Sequence, residues 1–436
     1  MSTTVEQIRE AVGRTGEARE RVRQHRGTDA VIAALAQTAK NWLDPSSPWR
    51  KRAVEQAPAA TGFSEAMVSE AVDLTFGAIT HESLGELLDS ELGDQHTGPR
   101  LIVHFLAGNV PVPGIVSICR GLLLRSANLV KVSSRDPVFP ALFAESLREV
   151  DAELADCVAV LDWRRDEVAL TRAALEDADA VIAYGDDDTI SALRGLVSPK
   201  VKFFGYGHGI SFAVVGKEAM TGENLARLAE AAAFDTSVYD QQGCMSPHVF
   251  YVEEGGRLGP RKFAAALADA MAAYQARVPR GQLSVEEAAQ IAKLRGAYEF
   301  RAASDKSVGI WASEAGNNWL VIYEDEPMFT PSCLNRVVFV KPVKQLESVL
   351  QVVRRFASNL STVGVALMNE SPRRARSRHE EHEVGFAAEL VKMGVHRVCP
   401  IGQMQRPPLS AHRESAGDPV YDTRAGSRRY TADGEG

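Results

Sequence analysis

Cysteine is scarce in this chain: five in 436 residues, at Cys119, Cys157, Cys244, Cys333 and Cys399. The number is odd and no pair has Cys-x-x-Cys spacing, so neither a disulfide framework nor a zinc site is supported. An excess of basic charge is lacking as well, since 49 Lys and Arg stand against 57 Asp and Glu for a net charge of −8. That balance argues against nucleic acid or an anionic membrane as a partner held by bulk electrostatics. A membrane span is not expected either. The most apolar stretch, "LIVHFLAGNVPVPGIVSICRGLLL" (residues 101 to 124), has Pro111 and Pro113 beside Gly108 and Gly114. Those residues would break a spanning helix in its middle, so strand, turn and helix fit better. The first residues mix both charge signs without an apolar core, unlike a signal peptide, and the expectation is a cytoplasmic protein. Internal repeats and low-complexity linkers are missing too.

What is present is enough apolar material, 45% of residues, to bury large cores in two or three domains. The first hundred residues read as helical, with "PSSPW" (45 to 49) as a break and one amphipathic helix from Ser64 to Leu87, capped by Ser64. After them short β-branched runs alternate with helical stretches. Strands are expected near 100–106, 128–132, 157–162, 180–184, 201–204 and 210–215, with helices near 115–125, 137–150, 167–178 and 188–196. Such alternation implies a parallel sheet covered by helices, an architecture that binds nucleotides at the carboxyl ends of its strands. A second set follows, with helices near 223–234 and 261–275 and strands near 249–252, 319–323 and 336–340. In "SPRRARSRHEEHEVG" (371 to 385), His379 and His382 have no third ligand, and a solvated helix face is the better reading.

The segment "DQQGCMSPH" (240 to 248) places Cys244 between a helix and a strand. Most cysteines are buried and inert, and Cys119, Cys157 and Cys399 sit in apolar patterns that suit that role. Paired glutamines and a glycine are poor core material, so this loop reads instead as one that displays a reactive group. A thiolate attacking a carbonyl needs an oxyanion donor, and Asn109 in "AGNVPVPG" (107 to 114) is held at a strand end by the turn after it. In "FFGYGHGIS" (203 to 211), glycines around Tyr206 and His208 let the backbone approach a ligand and project His208 into a cleft. His208 is the candidate to activate Cys244 or pass protons, because imidazole titrates near neutrality.

The ordered set "GNVPVPG", "LVKVSSRDP", "AVIAYGDDDT", "GYGHGISFAVV", "DQQGCMSPH" and "HRVCPIGQMQRPPL" resembles the acyl-thioester reductases of the LuxC type, a branch of the aldehyde dehydrogenase superfamily, over about residues 100 to 412. The resemblance implies an α/β, aldehyde dehydrogenase-like fold: two Rossmann-like parallel-sheet domains with the active-site cleft between them. It places a helical region at 1–99 on a cofactor domain at 100–215, a catalytic domain at 216–400, and a terminal segment and tail at 401–436. It makes Cys244 the nucleophile and Asn109 the oxyanion amide. It makes Lys131, Ser133, Ser134, Arg135, Gly185 and Phe329 the cofactor-binding set. Ser134 stands where NAD-preferring relatives carry a glutamate; a hydroxyl and the neighbouring guanidinium suit a 2′-phosphate, so NADPH is expected, with NADH as the alternative. Asp186 stands where a phosphate contact would be expected. Tyr206 takes the place of the glutamate that activates water in hydrolytic relatives, which favours reduction over oxidation. Glu324 and Glu326 lie near the superfamily's ribose-binding glutamate, but neither matches it. The implied reaction is reduction of an acyl-CoA or acyl-carrier thioester to the aldehyde, in a homo-oligomer (dimer or tetramer), with an acyl-activating or acyl-transfer protein as a further partner. A nucleotide-free Cys-dependent acyltransferase or thioesterase, a CoA-acylating aldehyde dehydrogenase running oxidatively, and a non-catalytic partner protein are the alternatives.

Overall fold

A computed structural model describes residues 3–91, 98–110, 112–314, 316–367 and 378–409. Five helices come first: α1 (Val5–His25), α2 (Thr28–Leu43), α3 (Pro48–Thr61), α4 (Glu65–Gly77) and α5 (His81–Glu91). The single helix expected from Ser64 to Leu87 is two. Ser64 does cap it, accepting from the Met67 N–H at 3.2 Å. The chain then stops and restarts because Thr80 and Ser83 cap one another, each backbone N–H donating to the other's hydroxyl at 3.0 and 3.1 Å.

The first sheet contains β1 (Leu101–Phe105), β2 (Ala127–Lys131), β3 (Val158–Leu161), β4 (Ala180–Tyr184) and β5 (Lys202–Tyr206). Its order is β3-β2-β1-β4-β5 and every pair is parallel. Strand order reverses between β1 and β4, which opens a crevice at their carboxyl ends. The connecting helices are α6 (Val112–Leu123), α7 (Val138–Val150), α8 (Ala152–Ala155), α9 (Val168–Leu175) and α10 (Asp187–Arg194). The apolar stretch at 101–124 is thus strand, turn and helix, as its prolines and glycines require. The N-terminal helices dock on this half: Trp42 stacks on Phe76 at 4.5 Å and on Phe139 of α7 at 6.2 Å, and its indole N–H donates to Ser146.

The second sheet takes β6 (Ile210–Val215), β7 (Pro247–Glu253), β8 (Val308–Ala312), β9 (Leu320–Glu324), β10 (Val337–Val343), β11 (Leu360–Ala366) and β12 (Arg397–Pro400), in the order β12-β11-β6-β7-β10-β9-β8. Only β8 runs antiparallel, against β9. Helices α11 (Leu225–Ser237), α12 (Pro260–Arg277), α13 (Val285–Ser304), α14 (Glu347–Val353) and α15 (Arg378–Lys392) accompany it. Alternation along the strands splits the core by face: Phe250 and Val252 join Val338 and Val340 on one side, Val249 and Tyr251 join Val337 and Phe339 on the other. The sequence reading grouped 210–215 with the cofactor half. β6 instead pairs with β7 and β11, so the chain changes sheet at Gly207–Gly209. The side chains of His379 and His382 and the tail from residue 410 lie outside the described residues. Among the described residues no helix is long and apolar enough to cross a membrane.

Candidate active site

A cavity of about 930 Å³ lies between the two sheets and brings together loops from both. Asn109 enters from the end of β1, Gly185 and Asp186 from the end of β4, Tyr206 and His208 from the end of β5, Cys244 from the approach to β7 and His248 from the start of β7. Arg135 also reaches its wall. The lining also takes in Leu74, Gly77, Ala78, Thr80 and Ser83 at the break between α4 and α5, and Gln405 to Leu409. The N-terminal helices are therefore part of the cavity.

Cys244 is the one exposed cysteine of the five; Cys119, Cys157 and Cys399 are buried and Cys333 is half-buried. Burial pushes the thiols of Cys119, Cys157 and Cys399 up to about 12, out of range for nucleophilic chemistry near neutrality. The loop before Cys244 has an uncommon backbone. Tyr239, Asp240 and Gln241 have φ of 53°, 51° and 64°, and a second left-handed triplet, Leu334, Asn335 and Arg336, has 61°, 58° and 64°. Such residues cost about 1–2 kcal/mol each in that region. Buried bonds between the two triplets offset the strain. Asp240 pairs with Arg336 at 2.8 Å, both buried. Burial pushes the Asp240 carboxyl up, and the Arg336 charge opposes that shift. Gln241, fully buried, accepts from the Val337 N–H at 2.9 Å and donates to the Pro247 carbonyl at 2.9 Å. Gln242 donates to Asn335 at 3.1 Å. The paired glutamines are thus props for the loop that displays the cysteine.

The far side of the loop is held by the terminal motif. Gln405 donates to the Ser246 hydroxyl at 3.0 Å and to the Asp235 carbonyl at 3.1 Å. The buried Asp235 carboxyl, pushed up to about 7 by desolvation, accepts the backbone N–H groups of Gly402 and Met404.

Asn109 and His208 share the cavity wall with Cys244. The Asn109 side-chain amide donates to the Gln242 carbonyl at 2.9 Å, which ties the β1 turn to the cysteine loop. His208 is exposed; its backbone N–H donates to Asp187 and its carbonyl accepts from Asn359. Close approach is required at Gly209, where a β-carbon would stand 3.1 Å from the Cys244 Cβ and 2.9 Å from the Ser361 Cβ. At Gly243, by contrast, a β-carbon would meet nothing nearer than 3.4 Å. The Cys244 carbonyl is fixed by the Ser211 hydroxyl at 2.7 Å. Tyr206 stacks on Tyr184 with ring centroids 4.7 Å apart.

The proposed cofactor residues divide. Ser133, Ser134 and Arg135 form a tight turn after β2, closed by a Ser133–Asp136 bridge, with Ser134 and Arg135 exposed. This turn presses on the β1 loop so closely that a β-carbon at Gly108 would come within 2.4 Å of the Arg135 Cβ. Lys131 is half-buried, and desolvation lowers its ammonium below the ordinary lysine range while Asp162 opposes the shift. Gly185 borders the cavity, where its N–H donates to the Tyr206 carbonyl. Phe329 is buried away from the cavity wall, packed on Phe356 and on the His248 ring. Glu324 is buried and bonded to buried Lys341 and Tyr298 and to exposed Arg301. These positions fit a dinucleotide along the ends of β1, β2 and β4: an open crevice, a partly desolvated lysine and a guanidinium. At the amino end of α10 the Asp186 carboxylate accepts the Thr189 N–H at 2.7 Å, which sets a negative charge where an anion would otherwise sit.

His248 is the residue that sequence reasoning passed over. It is buried, it borders the cavity, and burial lowers its imidazole to about 4, with His208 adding to the shift.

A family described as acyl-CoA reductase (LuxC) matches residues 24–412. The long-chain acyl-protein thioester reductase of Vibrio harveyi is 26% identical over 344 residues, covering 74% of this chain and 69% of that protein. Long-chain acyl-protein thioester reductase 2 of Photobacterium leiognathi is 23% identical over 397 residues, covering 85% and 78%. Among solved structures, an NAD-dependent benzaldehyde dehydrogenase from Corynebacterium glutamicum superposes with a TM-score of 0.68 at 13% identity over 93% of this chain and 88% of that one. A glyceraldehyde-3-phosphate dehydrogenase from Methanocaldococcus jannaschii, complexed with NADP, gives 0.66 at 14% identity over 92% and 87%. The fold is that of the aldehyde dehydrogenases, and the chain belongs to the LuxC family of acyl-CoA reductases.

Proposed function

We propose that the protein reduces an acyl-CoA or acyl-carrier thioester to the aldehyde with NADPH, through an acyl-enzyme on Cys244. The observation that carries this reading is the exposure of Cys244 on a cavity that also takes in the carboxyl ends of β1, β4 and β5. The thiolate attacks the thioester carbonyl, and the Asn109 amide with the Cys244 backbone N–H holds the oxyanion. As the carbonyl re-forms the donor thiol leaves with a proton, for which exposed His208 is the carrier. When bound, the reduced nicotinamide cofactor supplies the hydride that the acyl group accepts. Expulsion of the Cys244 thiolate then releases the aldehyde. Tyr206, stacked on Tyr184, stands where the resemblance puts the carboxylate of hydrolytic relatives, and a phenol is a poor base for water near neutrality. Leu74, Ala78, Val110 and Val116 give an acyl chain an apolar lining. Exposed Ser134 and Arg135 suit the 2′-phosphate of NADPH.

The test is oxidation of NADPH or NADH by the purified protein with a panel of acyl-CoAs, aldehyde being quantified, with Cys244→Ala alongside. The expected result is acyl-dependent oxidation that Cys244→Ala lowers by about 10³-fold or more. Acyl groups loading on Cys244 with neither cofactor oxidised would replace this reading by acyl transfer. Steady thiol release without cofactor would replace it by hydrolysis.

A further inference from the structure

We infer that His248 is a further catalytic residue, a neutral imidazole whose Nε2–H donates to the acyl oxygen while negative charge develops on it. The inference deepens the acyl-enzyme reading and rests on it.

The argument begins with the tautomer. Nδ1 of His248 accepts the backbone N–H of Ser332 at 3.0 Å. An amide N–H only donates, so Nδ1 bears no hydrogen and the neutral ring carries it on Nε2. The ring is 6% exposed and borders the cavity four residues after Cys244. With Nδ1 turned to the Ser332 loop, the opposite edge of the ring is the one available to the cavity. The ring is also seated firmly: Phe329 packs on it at 6.2 Å and is itself backed by Phe356 at 4.9 Å. This gives buried Phe329 a place in the site as the support behind the histidine.

The same facts exclude other roles. A ring lowered to about 4 does not persist as imidazolium near neutrality, so it cannot hold Cys244 as a thiolate by charge. It cannot take the Cys244 proton, because Nδ1 is engaged and Nε2 already carries a hydrogen. Nor can it relay a proton through Nδ1 from an amide. What remains is hydrogen-bond donation to a developing anion, a role neutral imidazole fills where burial holds its pKa down. In this cavity that anion is the acyl oxygen. The charge appears when Cys244 bonds to the carbonyl carbon and disappears when the carbonyl re-forms, and the hydrogen stays on Nε2 throughout. The donor is useful here because one N–H of Asn109 is already spent on the Gln242 carbonyl.

Two substitutions separate the donor from the fold. His248→Asn keeps an acceptor for the Ser332 N–H but removes the donor at Nε2. His248→Gln places an amide N–H near the Nε2 position. With wild type active in thioester reduction, kcat/KM should fall about 10²–10³-fold in His248→Asn and return to within about tenfold of wild type in His248→Gln. The pH midpoint for alkylation of Cys244 by iodoacetamide should stay at the wild-type value in both. An Asn variant within about threefold of wild type, or a Gln variant as impaired as Asn, would overturn the inference. So would a shift of the alkylation midpoint, which would place the histidine's action on the sulfur. Should wild type oxidise neither cofactor with any thioester, the reading underneath would fail, a result distinct from an active His248→Asn.

Discussion

Two turns face one another across the cleft and are built on opposite principles. The turn after β2, residues 133–136, is held by local bonds: the Arg135 N–H to the Ser133 hydroxyl at 3.2 Å, the Asp136 N–H to the Ser133 carbonyl at 3.0 Å, and the Phe139 N–H to the Asp136 carboxylate at 3.1 Å. Its outward residues are exposed. In the cysteine loop Tyr239, Asp240 and Gln241 are left-handed and buried, and Asp240, Gln241 and Gln242 bond to partners 93 to 96 residues away. The comparison teaches that the chain separates what can be retuned from what must stay rigid. Side chains on a locally closed turn can change without disturbing the core. The position of Cys244, where the proposed chemistry would lose about 10²-fold in rate for a displacement of about 1 Å, is fixed by the interior.

The sharpest way to break this contrast is Arg336→Leu. It leaves Asp240 buried without its cation and should lower unfolding free energy by about 3–5 kcal/mol in chemical denaturation. A loss under about 1 kcal/mol would mean that the pair does not brace the loop. Gln241→Ala should cost less, about 1–3 kcal/mol, because it strands the Val337 N–H and the Pro247 carbonyl. It should also change the rate at which Cys244 is alkylated, and an unchanged rate would detach the glutamine from the cysteine. Ser134→Glu, on the other turn, should leave stability within about 0.5 kcal/mol of wild type. Its effect belongs in the NADPH to NADH ratio of kcat/KM, expected to fall about tenfold as a carboxylate meets the 2′-phosphate. A stability loss as large as that of Gln241→Ala would erase the difference between the turns.

Legibility in the sequence follows the same division. β4 at 180–184 and β6 at 210–215 have the boundaries read from their β-branched runs. α13 was not read, because it buries only Ile291 and Tyr298 among its described apolar residues and so carries a faint stripe. β11, "LSTVGVA", was missed because its polar residues are buried by strand pairing, which a single sequence does not display. In the site, the loops bearing Cys244, Asn109 and His208 were legible from glycine, proline and glutamine in unusual company. The brace beneath them was not, since Asp240 and Arg336 become partners only through the fold. His248 stands just before the strand read at 249–252, and nothing in its sequence neighbourhood marks the Ser332 N–H that fixes its tautomer.

The distance in sequence between the two left-handed triplets carries a consequence for folding order. Asp240 and Gln241 gain their bonds with Arg336 and Val337 only when 334–337 are in place, so a chain emerging from the ribosome as far as Cys244 lacks that brace. About 96 residues must be closed into one loop first. The scaffold therefore assembles before the Cys244 loop is set, and the final placement of that cysteine is a late event in the life of each molecule.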